Sequence, residues 1–295
     1  MVIGKKKWSL VLALVCLTIA ALLVLPGCDT QQDDGESKGL VKFAYPNYID
    51  GIGKAHVVKE ILETRMDYEV ELTSADLGVI FTAIANKNVD GYVGAWLPVT
   101  HASYMEQHGD SIEALSIIYD NARLGWVVPA YVEIDSIEQL NDYRDEFQGV
   151  VYALDPGAGL TELSHQVVEE YGLDYELVES SEPAMISRLE AGINNNEWVV
   201  VTGWSPHWKF GRWDLKYLDD PKKVLGEVEL VYVVVRDDFA EEYPEVAQFL
   251  SNIKLNDEQY ATLIGIFEEA GSGQEMEAAR QWIAENQDLV DSWIP

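Results

Sequence analysis

Gly149-Val150-Val151-Tyr152-Ala153-Leu154 runs into Asp155-Pro156-Gly157-Ala158-Gly159, and Leu163, Val167, Val168 and Tyr171 then recur at helical spacing up to Gly172. A β-rich run, a glycine turn and an amphipathic helix make the repeating unit of an α/β protein. The unit recurs in both directions. Downstream, Tyr175 to Val178 reads as a strand, and Ser181 with Pro183 begins a helix carrying Ile186, Leu189 and Ile193. Trp198 to Thr202 is the next strand, ahead of Gly203-Trp204-Ser205-Pro206-His207-Trp208. Upstream, Val41 to Tyr45 is a strand stopped by Pro46, and Val57, Val58, Ile61 and Leu62 mark a helix. Tyr68 to Leu72, a helix through Leu77, Ile80, Phe81 and Ile84, and a run from Val89 to Ala95 ending at Trp96-Leu97-Pro98 complete that side. Such alternation predicts a largely parallel sheet covered on both faces.

The pattern restarts after Leu124-Gly125-Trp126-Val127-Val128-Pro129, where Ser136 to Leu140 looks like a capped helix start. Val228 to Val235 is a long β-rich run suited to carrying the chain back, and three amphipathic helices follow. The expected fold is therefore α/β and two-lobed, with lobe one at 40–127 and 232–295 and lobe two at 128–231. Two chain crossings form the hinge, and the crevice between lobes is the natural ligand site.

The amino end reads differently. Lys5, Lys6 and Lys7 precede an apolar run from Trp8 to Leu25, then Pro26, Gly27 and Cys28. That order is expected of a secretory leader, here 1–27, and Leu25-Pro26-Gly27-Cys28 looks like a lipobox with Cys28 as the acylated first residue. A retained anchor helix is the alternative. Residues 28–39 form a polar tether, and the body is expected outside the cytoplasm, monomeric and held to a membrane by lipid. Cys16 lies in the leader, so acylation of Cys28 leaves no thiol for a disulfide, a metal or a nucleophile. Loss of the leader's three lysines takes the net charge from −31 to −34, which excludes nucleic acid as a partner through the surface.

No enzyme signature is present. The five histidines show no metal-ligand spacing, and neither a His-Glu-x-x-His nor a Gly-x-Ser-x-Gly occurs. Asp155-Pro156-Gly157-Ala158-Gly159 lacks the Lys-Ser/Thr of a phosphate loop, so no cofactor is expected. The loop has two readings: glycine torsion angles in a tight turn, or free N–H groups at a helix start suited to an anion. Among the nine tryptophans, Trp96 and Trp204 each follow a glycine-bearing strand and precede a proline. Placed at strand exits, one from each lobe, they can face a shared cleft. Aromatic faces attract a quaternary ammonium ion, which donates no N–H hydrogen bond, and an anion nest beside them suits a small zwitterion.

These residues resemble the substrate-binding component of glycine-betaine and proline-betaine ABC importers, with the type II periplasmic-binding-protein fold. The likeness rests on Val201-Thr202-Gly203-Trp204-Ser205-Pro206-His207-Trp208 with Asp214 to Pro221, on Ala95-Trp96-Leu97-Pro98 with Thr100-His101, and on Asp155 to Gly159. The resemblance implies an aromatic cage from Trp96 and Trp204, with the N–H groups of Gly159 and Leu160 receiving a carboxylate and His101 near the pocket. The third wall falls at Tyr45-Pro46-Asn47-Tyr48, where similar relatives often have tryptophan and Tyr48 is the best match. Trp208 and His207 are expected to fix the turn presenting Trp204; Asp50 and Asp76 are within reach of the cleft mouth, but a solvated carboxylate is the expectation for each. The implied ligand is glycine betaine, delivered to an importer's transmembrane subunit. Choline, carnitine, a sulfonium analogue, or a membrane-tethered sensory role are the alternatives.

Overall fold

Strand β1 (Leu40–Tyr45) buries Val41, Phe43 and Ala44, and β2 (Glu69–Ser74) and β3 (Gly91–Leu97) flank it in parallel. Parallel neighbours need crossovers, here α1 (Ile49–Arg65) and α2 (Leu77–Ala85). The computed structural model describes residues 37–295. The predicted leader, Cys28 and most of the tether lie outside the described residues.

Beyond β3 come α3 (Ala102–His108) and an eighteen-residue strand, β4 (Ile112–Pro129). The second lobe repeats the first's plan with β5 (Val150–Ala153), α4 (Gly159–Tyr171), β6 (Glu176–Glu179), α5 (Glu182–Asn195) and β7 (Val201–Ser205). Short α6 (Lys209–Arg212) and β8 (Leu215–Tyr217) lead to β9 (Val228–Arg236). Five helices close the chain: α7 (Phe239–Glu242), α8 (Pro244–Asn252), α9 (Asp257–Ala270), α10 (Glu275–Glu285) and α11 (Gln287–Trp293).

Hydrogen bonding joins the strands in the order β2-β1-β3-β9-β4-β7-β5-β6, with β8 on β4. The two ends of this sheet are parallel, as expected. Its middle is not: β9 runs antiparallel to β3 and β4, and β4 antiparallel to β7 and β8. The sequence does not show β4 as one strand because its partner changes along its length. It pairs with β9 from Ile112 to Arg123, with β7 from Arg123 to Val127 and with β8 from Val127 to Pro129, with three register shifts against β9. Each change moves side chains to a new environment, so the alternation of one half-buried strand is lost.

Ser136 does cap a helix, with Gln139 completing a capping box, but the helix is 3₁₀ over Ile137–Tyr143. Trp126 is fully buried, and its Nε1 donates to Ser164 Oγ at 2.9 Å, tying β4 to α4. The C-terminal helices cover the first lobe. Arg280 of α10 meets Glu60 of α1 at 3.0 Å, and Trp282 stacks on Trp293 at 6.0 Å between ring centres. Among the described residues no helix is long and apolar enough to cross a membrane, and no group of three or more ionisable ligands is placed to hold a metal.

Candidate ligand-binding site

Past the carboxyl ends of β1, β3, β5 and β7, where parallel strands release their loops, the two lobes enclose a cavity of about 40 Å³. One water takes roughly 10–15 Å³ on this measure, so the space suits a small solute. All six residues expected from the sequence, Tyr48, Trp96, His101, Gly159, Leu160 and Trp204, line it.

Trp96 and Trp204 are each the penultimate residue of a strand, β3 and β7, followed two residues on by a cis-proline, Pro98 or Pro206. Both rings are about 95 % buried. Tyr48 stands just ahead of α1, its ring 6.2 Å from that of Trp204 and tilted by 53°. Its hydroxyl donates to Asp155 Oδ2 at 2.6 Å, across the lobe boundary, while Asp155 Oδ1 accepts the Gly157 N–H at 3.2 Å. Burial and the Asp155 carboxylate push the Tyr48 phenol up, so it stays neutral. Three ring walls from two lobes thus bound one space.

The same lining also offers donors. Gly159 and Leu160 open α4, so their N–H groups have no partner within the helix and sit at its positive end. Neither Gly157 nor Gly159 has a positive φ, so the torsion-angle account of these glycines does not hold. Gly159 is required by contact instead: a Cβ there would lie 2.2 Å from the Thr100 carbonyl oxygen. Thr100 is itself fixed by buried Glu229, whose Oε2 accepts the Val99 and Thr100 N–H groups at 2.9 Å each while Oε1 accepts the Thr100 hydroxyl.

His101 adds a further donor. Its Nδ1 accepts the Trp96 N–H at 2.8 Å, which assigns the proton to Nε2. Burial pulls its pKa down to about 3, against an opposing pull from Asp50. The ring is therefore a neutral N–H donor on the cavity lining.

The structure corrects the expectation for Asp50. It is 5 % exposed and lines the cavity, held by Lys54 Nζ at 2.7 Å and the Tyr260 hydroxyl at 3.2 Å. The Asp50/Lys54 spacing of four on one helix was the available signal. Asp76 is exposed, as expected. Tyr92 and Thr100 also line the cavity and were missed; Tyr92 reads as part of an apolar strand, and a register shift between Val93 and Ala95 breaks its relation to Trp96.

Behind Trp204, His207 packs edge-on at 4.6 Å. Its Nδ1 accepts the Lys209 N–H at 3.1 Å, so Nε2 donates to Glu182 Oε1 at 3.0 Å. Glu182 Oε2 accepts the Ile49 N–H at 2.9 Å, a second tie between lobes. Burial pushes the Glu182 carboxyl up to about 8, with the Ile49 N–H pulling the other way. Trp208 tilts against His207 at 5.4 Å.

Residues 39–285 match the family model described as the substrate binding domain of ABC-type glycine betaine transport systems. A glycine betaine/carnitine transport binding protein of Listeria monocytogenes is 35% identical over 156 residues, 52% of this chain and 51% of that protein. The match thus spans about half the length of that curated relative. Among solved structures, a glycine betaine/L-proline-binding protein from Borrelia burgdorferi is 31% identical with a TM-score of 0.82, covering 87% of this chain and 97% of its own. A lactococcal protein crystallised closed with glycine betaine gives the same identity and TM-score over 87% and 100%. A choline-binding protein in complex with choline, 24% identical over 86% and 91% with a TM-score of 0.80, shares the fold.

Proposed function

The chain belongs to the family of substrate-binding domains of ABC-type glycine betaine transport systems, and from that membership we propose that its cavity captures glycine betaine for an ABC importer. The family is a binding one, without catalysis. The carrying observation is the pairing of two unlike surfaces in one small space. Rings of Tyr48, Trp96 and Trp204 share its lining with Gly159 and Leu160 at the start of α4 and with His101, whose Nε2 carries the proton. Ring faces suit a trimethylammonium group, with about 0.5–2 kcal/mol from each cation–π contact. The helix N-terminus and the histidine donor suit a carboxylate.

In this reading lobe one is 40–127 with 232–295 and lobe two is 128–231, a division supported by the crossings of β4 and β9 between the two parallel ends of the sheet. Tyr48–Asp155 and Ile49–Glu182 then close the lobes over the ligand. Cys28 carries the lipid, and the tether holds a monomeric body outside the cytoplasm, where it meets the importer's transmembrane subunit.

Calorimetric titration with glycine betaine, proline betaine, carnitine, choline and proline tests this reading. Glycine betaine should bind at one site per chain and more tightly than choline, which has no carboxylate for Gly159, Leu160 and His101. Heat with proline alone, or with no quaternary ammonium compound, overturns it.

A further inference from the structure

Most ionisable groups around the cavity have hydrogen-bond partners. Asp50 is engaged by Lys54 and Tyr260, Asp155 by Tyr48, and Glu182 by His207 and the Ile49 N–H. Lys209 is the exception. It is fully buried, yet its Nζ has no hydrogen-bond partner among the described residues. The ammonium lies 4.5 Å from the centre of the Trp204 ring and 5.2 Å from that of Phe210. Gly203 leaves room for it, since a Cβ there would come within 3.3 Å of Nζ. Lys209 is absent from the cavity lining while Trp204 is part of it, so the indole separates the ammonium from the ligand space.

We propose that Lys209 is a specificity-determining residue that charges the cavity wall from behind Trp204 and so disfavours a net cation relative to a zwitterion. This rests on the quaternary-ammonium reading above and adds a basis for discrimination. Two cations on one indole share the same ring quadrupole, so each weakens the ring's attraction for the other. They also repel directly. With one ring between them they are roughly 9 Å apart, and at an effective dielectric of about 20 this repulsion corresponds to a change in affinity on the order of tenfold. A zwitterion carries a compensating carboxylate and escapes much of that penalty; choline does not.

Burial pulls the Lys209 ammonium down to about 7, while Glu182 on α5 and Asp50 on α1 pull it up. His207 on the same loop is neutral, with burial and then Lys209 holding it well below its ordinary range. Glu268 on α9 acts on Glu182 rather than on Lys209 directly. The wall charge is therefore present in mildly acid solution and lost as pH rises.

The test measures the ratio of glycine betaine to choline affinity by calorimetry on the intact protein, from about pH 6 to about pH 9, a range in which neither ligand changes charge. In wild type the ratio should fall several-fold as pH rises. In Lys209→Met it should start about tenfold lower and fall less than in wild type, with Glu182 the group left to titrate in this range, while Lys209→Arg should keep a ratio above that of Lys209→Met at every pH. A folded Lys209→Met protein with the wild-type ratio overturns the proposal. If that variant fails to fold, a wild-type ratio that does not change with pH overturns it equally. Betaine binding with either of these results leaves the quaternary-ammonium reading standing. No binding of either ligand to wild type removes both.

Discussion

Two segments of this molecule use the same local device for opposite ends. In each, a strand finishes one residue beyond a tryptophan, a cis-proline follows, and a histidine accepts a nearby backbone N–H on its Nδ1. Trp96-Leu97-Pro98 with His101 does this in lobe one, and Trp204-Ser205-Pro206-His207 does it in lobe two. Both imidazoles are buried and neutral, and both carry their proton on Nε2. They differ in where that proton goes. His101 presents it on the cavity lining, whereas His207 gives it to Glu182. Spacing in the sequence cannot separate a ligand-contacting histidine from a bracing one; the partner of the second nitrogen does.

The largest expected effect tests whether the segments are equivalent where they are alike. Trp96→Ala and Trp204→Ala, in protein shown to be folded by circular dichroism, should each weaken glycine betaine binding about tenfold or more, through lost cation–π and apolar contact. Trp96→Phe should cost less. Wild-type affinity in either alanine variant would remove that segment from the cage.

Gly159→Ala should come next. The added methyl meets the Thr100 carbonyl, and overpacking of about 1–3 kcal/mol opposes closure and lowers affinity about tenfold. Gly157→Ala is the control, since its nearest neighbour would be 3.5 Å away. Equal losses in both would mean that the loop's torsions, not the Thr100 contact, govern the site.

The histidines should then part company. His101→Ala removes a donor to a carboxylate, about 1.5–3 kcal/mol, as well as the acceptor of the Trp96 N–H, and should weaken betaine binding about tenfold or more and choline binding less. His207→Ala should instead lower the melting temperature and weaken both ligands together. A shared pattern in the two variants would break the distinction drawn above.

The smallest effect is on stability and pH. Each histidine is held below its ordinary value by burial, so the unfolded chain binds a proton that the folded chain refuses. Their contribution is whole above about pH 6.5 and is lost as pH falls through the acid range, for His101 toward about 3. Thermal melts between pH 7 and pH 4 should fall less steeply for His101→Gln than for wild type.

The parallel ends of the sheet were legible because each strand and helix there serves one environment, as Val57, Val58, Ile61 and Leu62 serve one face of α1. The antiparallel middle was not, because β4 serves three partners. In the cavity, tryptophans beside prolines were visible as chemistry. Thr100 and Tyr92 were not, since their importance comes from meeting residues far away in sequence, and Asp50 was visible only as a residue near the cleft mouth. Lys209 gave no signal either: a lysine in a Trp-Lys-Phe run reads as surface until the fold buries it.

The contact of Gly159 with Thr100 carries a final consequence. With no room for a Cβ between Gly159 and the Thr100 carbonyl, and Glu229 fixing that carbonyl's loop, the proposed closure of the lobes would end at a hard stop. The width of the closed space is then set by main chain and not by its guest. A soft cavity would mould itself to solutes of several sizes. This one works as a fixed gauge, admitting what fits the gap and leaving a larger molecule in a jaw that cannot shut.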